Sequence, residues 1–176
     1  MSELYEQIMS QKGSFENLIM KIPGFKGYQD KQARRHADTM LRQYIAGKIE
    51  QTKGKFVRIE KLILDNAGMK YMPRTRDVKG KIQLYHDKVS TATPRYSGMW
   101  AQMKIGAAEL EEIYTFDEAQ IRFVEALDTV LDTLQQAALS QEGLDEAIMK
   151  VDGAATEALN AFAMRGDVLT RFGESV

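Results

Sequence analysis

The chain has 176 residues, no cysteine, 3 prolines and a formal net charge of −1. That length suits one domain that buries a core without a metal or cross-link, and the missing thiols exclude disulfide scaffolds, thiolate zinc, iron–sulfur ligation and cysteine nucleophiles while fitting a reducing cytoplasm. The near-neutral total hides a division, for residues 21 to 104 hold 19 Lys or Arg against 7 Asp or Glu and residues 105 to 176 hold 4 against 15, a polarity that bears on association more than on catalysis.

Abundant Ala, Leu, Met, Lys, Glu and Gln, with no period-2 segment, predict helix throughout. The acidic start lacks the basic and unbroken apolar stretches of a signal peptide, and no window approaches the roughly 18 apolar residues of a membrane span. A soluble protein is expected. A short helix is predicted over Glu3 to Gln11 and ended by Gly13, and Ser14 caps a second from Phe15 to Lys21. Pro23 disfavours helix at Ile22, and Gly24 and Gly27 open the backbone, so IPGFKGY (22–28) is a loop carrying Phe25 and Tyr28. These aromatics either plug the end of a bundle or form a partner-binding knob.

A long helix is predicted from Gln29 to Asn66, because Ile45, Ile49, Thr52, Phe56, Ile59 and Ile63 recur at steps of three and four. At about 1.5 Å per residue it would reach about 57 Å, which implies an elongated molecule. Gly68 is its C-cap and Pro73 a spacer before a helix over 74–92, carried by Val78, Ile82, Tyr85 and Val89. Pro94 ends it, and PRYSGMWAQMKI, with Tyr96 and the single Trp100, forms a corner. A helix over 107–139 follows, its Val124, Leu127, Leu131, Leu134 and Ala138 making a coiled-coil-like seam. Thr115 and Glu118 offer a later start as a capping box. Gly143 separates a last helix over 144–164, and residues 165–176 are expected to fray. The ten methionines are read chiefly as gap fillers between helices, with an adaptable binding surface as the alternative.

Chemistry finds little support. A carboxylate-bridged di-iron site needs Glu-x-x-His pairs, but Ala33 and Gln83 stand where His36 and His86 would require Glu. The run Glu109, Glu111, Glu112, Asp117, Glu118 lacks the order of a calcium loop and reads as a solvated face or a diffuse divalent-ion site. No phosphate-binding glycine loop, nucleophile elbow or kinase signature is present. Thr52 and Tyr85 are the polar seam positions a ligand-holding core would use. Basic clusters at Lys26, Lys31, Arg34, Arg35 and Arg42, and at Lys70, Arg74, Arg76, Lys79 and Lys81, have aromatics nearby, yet the long helix bears no basic stripe, which disfavours nucleic acid.

Two passages, IPGFKGY into QDKQARRHAD and YSGMWAQMKI into GAAELEEIYTFD, resemble segments of uncharacterised bacterial helical proteins. That resemblance spans about residues 20 to 135 and implies a long-helix bundle without bringing an activity, cofactor or site. The order of basic helices before acidic ones is also similar in architecture to membrane-remodelling filament proteins of the ESCRT-III and phage-shock protein A type, although the N-terminal helix that would meet lipid is acidic here.

The sequence therefore predicts an all-α, elongated antiparallel bundle of three to four main helices in a single domain over 1–176. It is expected to be a non-enzymatic, cytoplasmic assembly, scaffold or adaptor protein without cofactor or metal. Its partner would be a protein or a second copy, engaged through charge-complementary helices. The alternative is a peripheral binder of anionic membrane surface through the basic residues of 21–104. Candidate interaction residues are Phe25, Tyr28, Arg34, Arg35, Arg42, Arg74, Arg76, Tyr96 and Trp100.

Overall fold

The structure, a computed structural model, describes residues 2–91 and 100–174. Every regular element among them is helical: α1 Glu3–Ser10, α2 Phe15–Lys21, α3 Arg34–Ala67, α4 Met72–Thr91, α5 Ala107–Ser140 and α6 Leu144–Glu174, with a single 3-10 turn, Gly68–Tyr71, between α3 and α4. Tyr96 and the other residues of the 92–99 corner lie outside the described residues.

The four long helices form an elongated bundle in which α3 and α6 each touch α4 and α5, while α4 and α5 occupy opposite corners. Its 34-residue helices α3 and α5 are each about 51 Å long. Successive helices run antiparallel, as Glu60 against Lys79 on α3 and α4 and Asp117 against Arg165 on α5 and α6 show. The two hairpins meet through parallel neighbours instead. Lys48 and Lys55 of α3 reach Glu125 and Asp132 of α5, and Arg74 and Lys81 of α4 reach Asp145 and Asp152 of α6.

The seams read from spacing are the core. Ile45, Ile49, Phe56, Ile59 and Ile63 of α3, Val78, Ile82, Tyr85 and Val89 of α4, Val124, Leu127, Leu131 and Leu134 of α5, and Ile148, Val151, Ala155 and Ala158 of α6 are all buried. Alanines on the α6 face let α5 approach closely, and burying each larger aliphatic side chain contributes about 1.5–3 kcal/mol.

The first half of α5 departs from a one-sided pattern, since Ile113 through Asp117 are buried consecutively. The reason lies in the N-terminal segment, which crosses α5 on the side the bundle leaves open. Gly13 allows it: a Cβ there would stand 2.4 Å from the Tyr114 carbonyl oxygen, and the Gly13 amide donates to Thr115 Oγ1 at 3.0 Å. Ser14 caps α2 as its sequence predicts, accepting from the Asn17 amide at 3.2 Å.

Three boundaries differ from the sequence reading, at the starts of α3 and α4 and at the end of α6, while the start of α5 agrees with it. Helix α3 begins at Arg34, because residues 29–33 form a turn in which Asp30 accepts from the Gln32 amide and, through its carbonyl, from Ala33. Pro73 is inside the first turn of α4, where its missing N–H has no intrahelical role to fill. Helix α5 starts at Ala107 as its spacing predicts, with Glu109 reaching back to the Gly106 amide at 2.9 Å, and only the alternative start falls, because Thr115 is interior. Residues 165–174 do not fray: α6 continues to Glu174 with Arg165, Val168, Leu169 and Phe172 buried. The methionine expectation is also too simple, for Met103 is buried whereas Met20, Met69 and Met149 are exposed.

Candidate functional site: a buried ionic hub under an aromatic cap

Three charged residues lie on the helical seams where apolar residues would be expected. Asp38 is seven residues before Ile45 on α3, Asp117 is seven before Val124 on α5, and Arg165 is seven after Ala158 on α6. The bundle brings them together at the end where α3 and α5 begin. Arg165 Nε donates to Asp117 Oδ1 at 2.7 Å, and its Nη2 stands 2.9 Å from Asp38 Oδ1. The second contact supplies opposite charge without an aligned hydrogen bond, which leaves that Asp38 oxygen without a donor. The other Asp38 oxygen accepts from Arg42 Nε at 2.9 Å.

Tyr28 closes the cluster from above, its hydroxyl donating to Asp117 Oδ2 at 2.5 Å and accepting from Arg165 Nη2 at 3.2 Å. Its ring stacks on Trp100 with centroids 5.3 Å apart and packs against Phe25 and Tyr114. Arg34 fastens the two loops by donating to the carbonyls of Tyr28 at 2.8 Å, Trp100 at 3.1 Å and Met103 at 2.9 Å. Arg42 likewise points at the carbonyls of Val89 and Ser90 at the end of α4.

Burial sets the electrostatics of this hub. Desolvation alone would lower the Arg165 pKa, but the Asp117 and Asp38 carboxylates outweigh it and hold the guanidinium well above its ordinary value. The Asp117 carboxyl is raised by burial, with Arg165 and Tyr28 opposing the rise. Burial and the neighbouring carboxylates push the Tyr28 phenol well up. With Asp117 and Tyr28 at 0 % and Arg165 and Asp38 at 3 % exposure, no substrate reaches these groups. What the arrangement can do is tie α3, α5, α6 and the loop before α3 into one register.

This geometry corrects several interaction candidates. Phe25, Tyr28, Trp100, Arg34 and Arg42 are buried and present no surface to a partner. The aromatics close the end of the bundle that holds the ionic hub, and the two arginines satisfy carbonyls that loops and a helix end leave unpaired. Arg74 is half-buried and paired with Asp145. Arg35 and Arg76 are exposed, and Tyr96 falls in the undescribed corner. Asp38 and Arg165 are not singled out by the sequence, and Asp117, which the spacing places in a solvated acidic run, is fully buried; a charge at a seam position is the signal that marks all three.

The acidic run of α5 is not an open cation site. Glu111 pairs with Lys12 at 2.6 Å, Glu112 accepts from Tyr5 at 2.7 Å and pairs with Arg171, and Glu118 accepts from the Ser14 amide and Asn17. These carboxylates fasten the N-terminal segment. Among the described residues no group of three or more His, Asp and Glu could hold a metal, and no helix is long and apolar enough to cross a membrane. Of the polar seam positions, Thr52 is buried at a shallow groove between α3 and α5. Tyr85 is buried with its hydroxyl unpartnered, and burial raises its pKa. The molecule thus offers a sealed ionic hub and shallow surface grooves, and comparison of the chain with known family models, curated proteins and solved structures finds none that matches it.

Proposed function

We propose that this chain is a non-enzymatic helical scaffold or adaptor of the cytoplasm that acts through charge-complementary helix association. The observation that carries the reading is the pairing of its hairpins. Lys48 and Lys55 of α3 face Glu125, Asp128 and Asp132 of α5, and Arg74 and Lys81 of α4 face Asp145 and Asp152 of α6. Such partly exposed pairs are worth about 0–1 kcal/mol each, so they select partner and register more than they stabilise. The rule that matches basic to acidic helices inside the chain is available outside it. Arg58, Lys61, Arg76 and Lys88 are exposed on the basic hairpin, and Glu142, Glu157 and Asp167 on the acidic one.

Sedimentation across a salt series tests this. Association at low ionic strength that weakens as salt rises is expected, because screening shortens the reach of exposed charges to about 10 Å at 0.1 M. A chain that stays monomeric throughout and captures no protein partner at low salt would remove the reading.

A second reading is attachment to an anionic membrane surface. It is favoured by Lys26, Lys31, Arg35 and Lys104, which are exposed and carry no ion pair among the described residues. Arg34 and the Tyr28–Trp100 stack bring their two loops to one end of the bundle. Flotation with vesicles containing anionic lipid, against neutral vesicles, decides it: equal recovery with both sinks this alternative.

A further inference from the structure

Helix α1 lies along the groove between α5 and α6 and fills only its first part. Ser2 Oγ stands 4.0 Å from the Met164 sulfur of α6, and the Tyr5 hydroxyl donates to Glu112 of α5 at 2.7 Å with its ring 5.7 Å from that of Phe116. Further along, Ile8 and Gln11 border a recess shared with Arg122 and Phe123 of α5 and Glu157 of α6. The helix therefore runs from the hub end toward the middle of the bundle. It stops at Gln11, whose φ of −110° and ψ of 79° leave helical geometry, and the chain turns back at Gly13 onto Thr115. That turn ends α1, but it does not end the groove.

The apolar floor continues past it. Helix α5 carries Ala119, Phe123, Ala126 and Val130 at steps of four, three and four, and α6 carries Ala154 and Ala161 seven apart. In the stretch that α1 crosses, Ala119 and Ala161 are buried, whereas beyond it Phe123, Val130 and Ala154 are half-buried and Ala126 is exposed. The recess at the junction has a volume of about 240 Å³. Residues 112–130 of α5 span about 27 Å, against about 12 Å for α1. Each wall also bears one charge, Arg122 on α5 and Glu157 on α6, and neither pairs with another described residue.

We propose that the α5–α6 groove docks an amphipathic helix of a partner protein, longer than α1, which displaces α1 and covers the floor as far as Val130. The chain's own α1 shows that the groove holds a helix laid along it, and the continuing floor sets the greater length. The two walls set the chemistry of the flanks, with a carboxylate facing Arg122 and a basic side chain facing Glu157. Helix α1 yields because eight residues are marginal as an isolated helix and Ile8 is its one buried residue. This rests on the reading of the chain as an adaptor and names the surface and the partner. It differs in mechanism, because burial of an apolar floor carries the binding and salt does not screen it.

The probe is a dye-labelled synthetic helix of about 18 residues, enough for about 27 Å, with leucines at the spacing of Leu4 and Ile8, Glu on one flank and Lys on the other. Fluorescence anisotropy with the full chain should show saturable binding at low and high salt. A peptide of residues 2–11, too short to hold a helix alone, should bind about tenfold more weakly or worse. Ala126→Arg should weaken the long peptide about tenfold or more by overfilling the groove. Because Ala126 is exposed, helical circular dichroism should not change. Arg122→Glu makes both walls acidic, so it should weaken the mixed-flank peptide and favour one with Lys on both flanks.

Because the chain has no cysteine, Ser2→Cys places a single dye at the start of α1, and unlabelled long peptide should shift its emission as α1 leaves Met164. The absence of saturable binding, binding indifferent to both Ala126→Arg and Arg122→Glu, or binding that leaves the Ser2 label unmoved overturns the proposal. Dimers of the chain alone that the peptide dissolves would make a second copy the occupant and overturn it too. Each of these results leaves salt-sensitive association of the hairpins standing, whereas peptide binding by a chain that never associates at low salt sinks only the latter.

Discussion

Arg165 illustrates how one residue ties distant segments together. It serves two carboxylates on two other helices and the hydroxyl of a loop tyrosine, all inside the core. Breaking one side of such a buried cluster leaves uncompensated charge, which costs more than the pairing contributes. Arg165→Met is therefore expected to lower unfolding stability by about 3–5 kcal/mol, and adding Asp117→Asn should recover part of that loss because the charge left behind is removed. Chemical denaturation checks both, and a loss under about 1 kcal/mol for the single variant would show that the hub relaxes to solvent. The residues of this hub were legible only as anomalies. A charge at a seam position is visible in a sequence, but its partners lie 48 and more than 100 residues away, and no local pattern pairs Asp38 with Arg165.

At the scale of elements, periodicity predicted the four long helices well because each has one apolar stripe that must be buried. It failed at the ends, where tertiary contacts outweigh local signals. The stretch after Met164 has Gly166 and Gly173 and a mixed composition that suggests fraying, yet Val168, Leu169 and Phe172 are buried against the bundle. Leu169→Ala should then cost about 2–5 kcal/mol, the range for truncating a core leucine. A frayed tail would give no measurable change in the denaturation midpoint. The same reasoning explains the N-terminal helices. Seven- and eight-residue helices are too short to be stable alone, and α1 and α2 persist because Ile8 and Leu18 are buried in the core and Tyr5 and Phe15 pack on Phe116 and Tyr114 of α5, with Glu111, Glu112, Glu118 and Glu125 fixing the position of the segment.

For the whole molecule, the charge division becomes a spatial one, with a basic hairpin beside an acidic hairpin. Stability should also have a defined alkaline limit. The Tyr28 and Tyr85 phenols are raised by burial, so both stay protonated in folded and unfolded chains below about pH 10 and their contribution is intact there. Above that pH the unfolded chain releases these protons and the folded chain does not, so stability falls as pH rises toward the folded values. Tyrosinate absorbance and helical circular dichroism followed together should show part of the phenolate signal appearing only as helix is lost. Titration of all tyrosines with the helices intact would contradict the burial. By itself the sequence determined the helical class, the seams and the segregation of charge, because each follows from the spacing of residue types along the chain. Only the tertiary structure decided that basic helices lie parallel to acidic ones, that five residues read as an interaction surface are instead a sealed cap and its fastenings, and that α6 runs to its end, because those outcomes depend on contacts between segments no local rule connects.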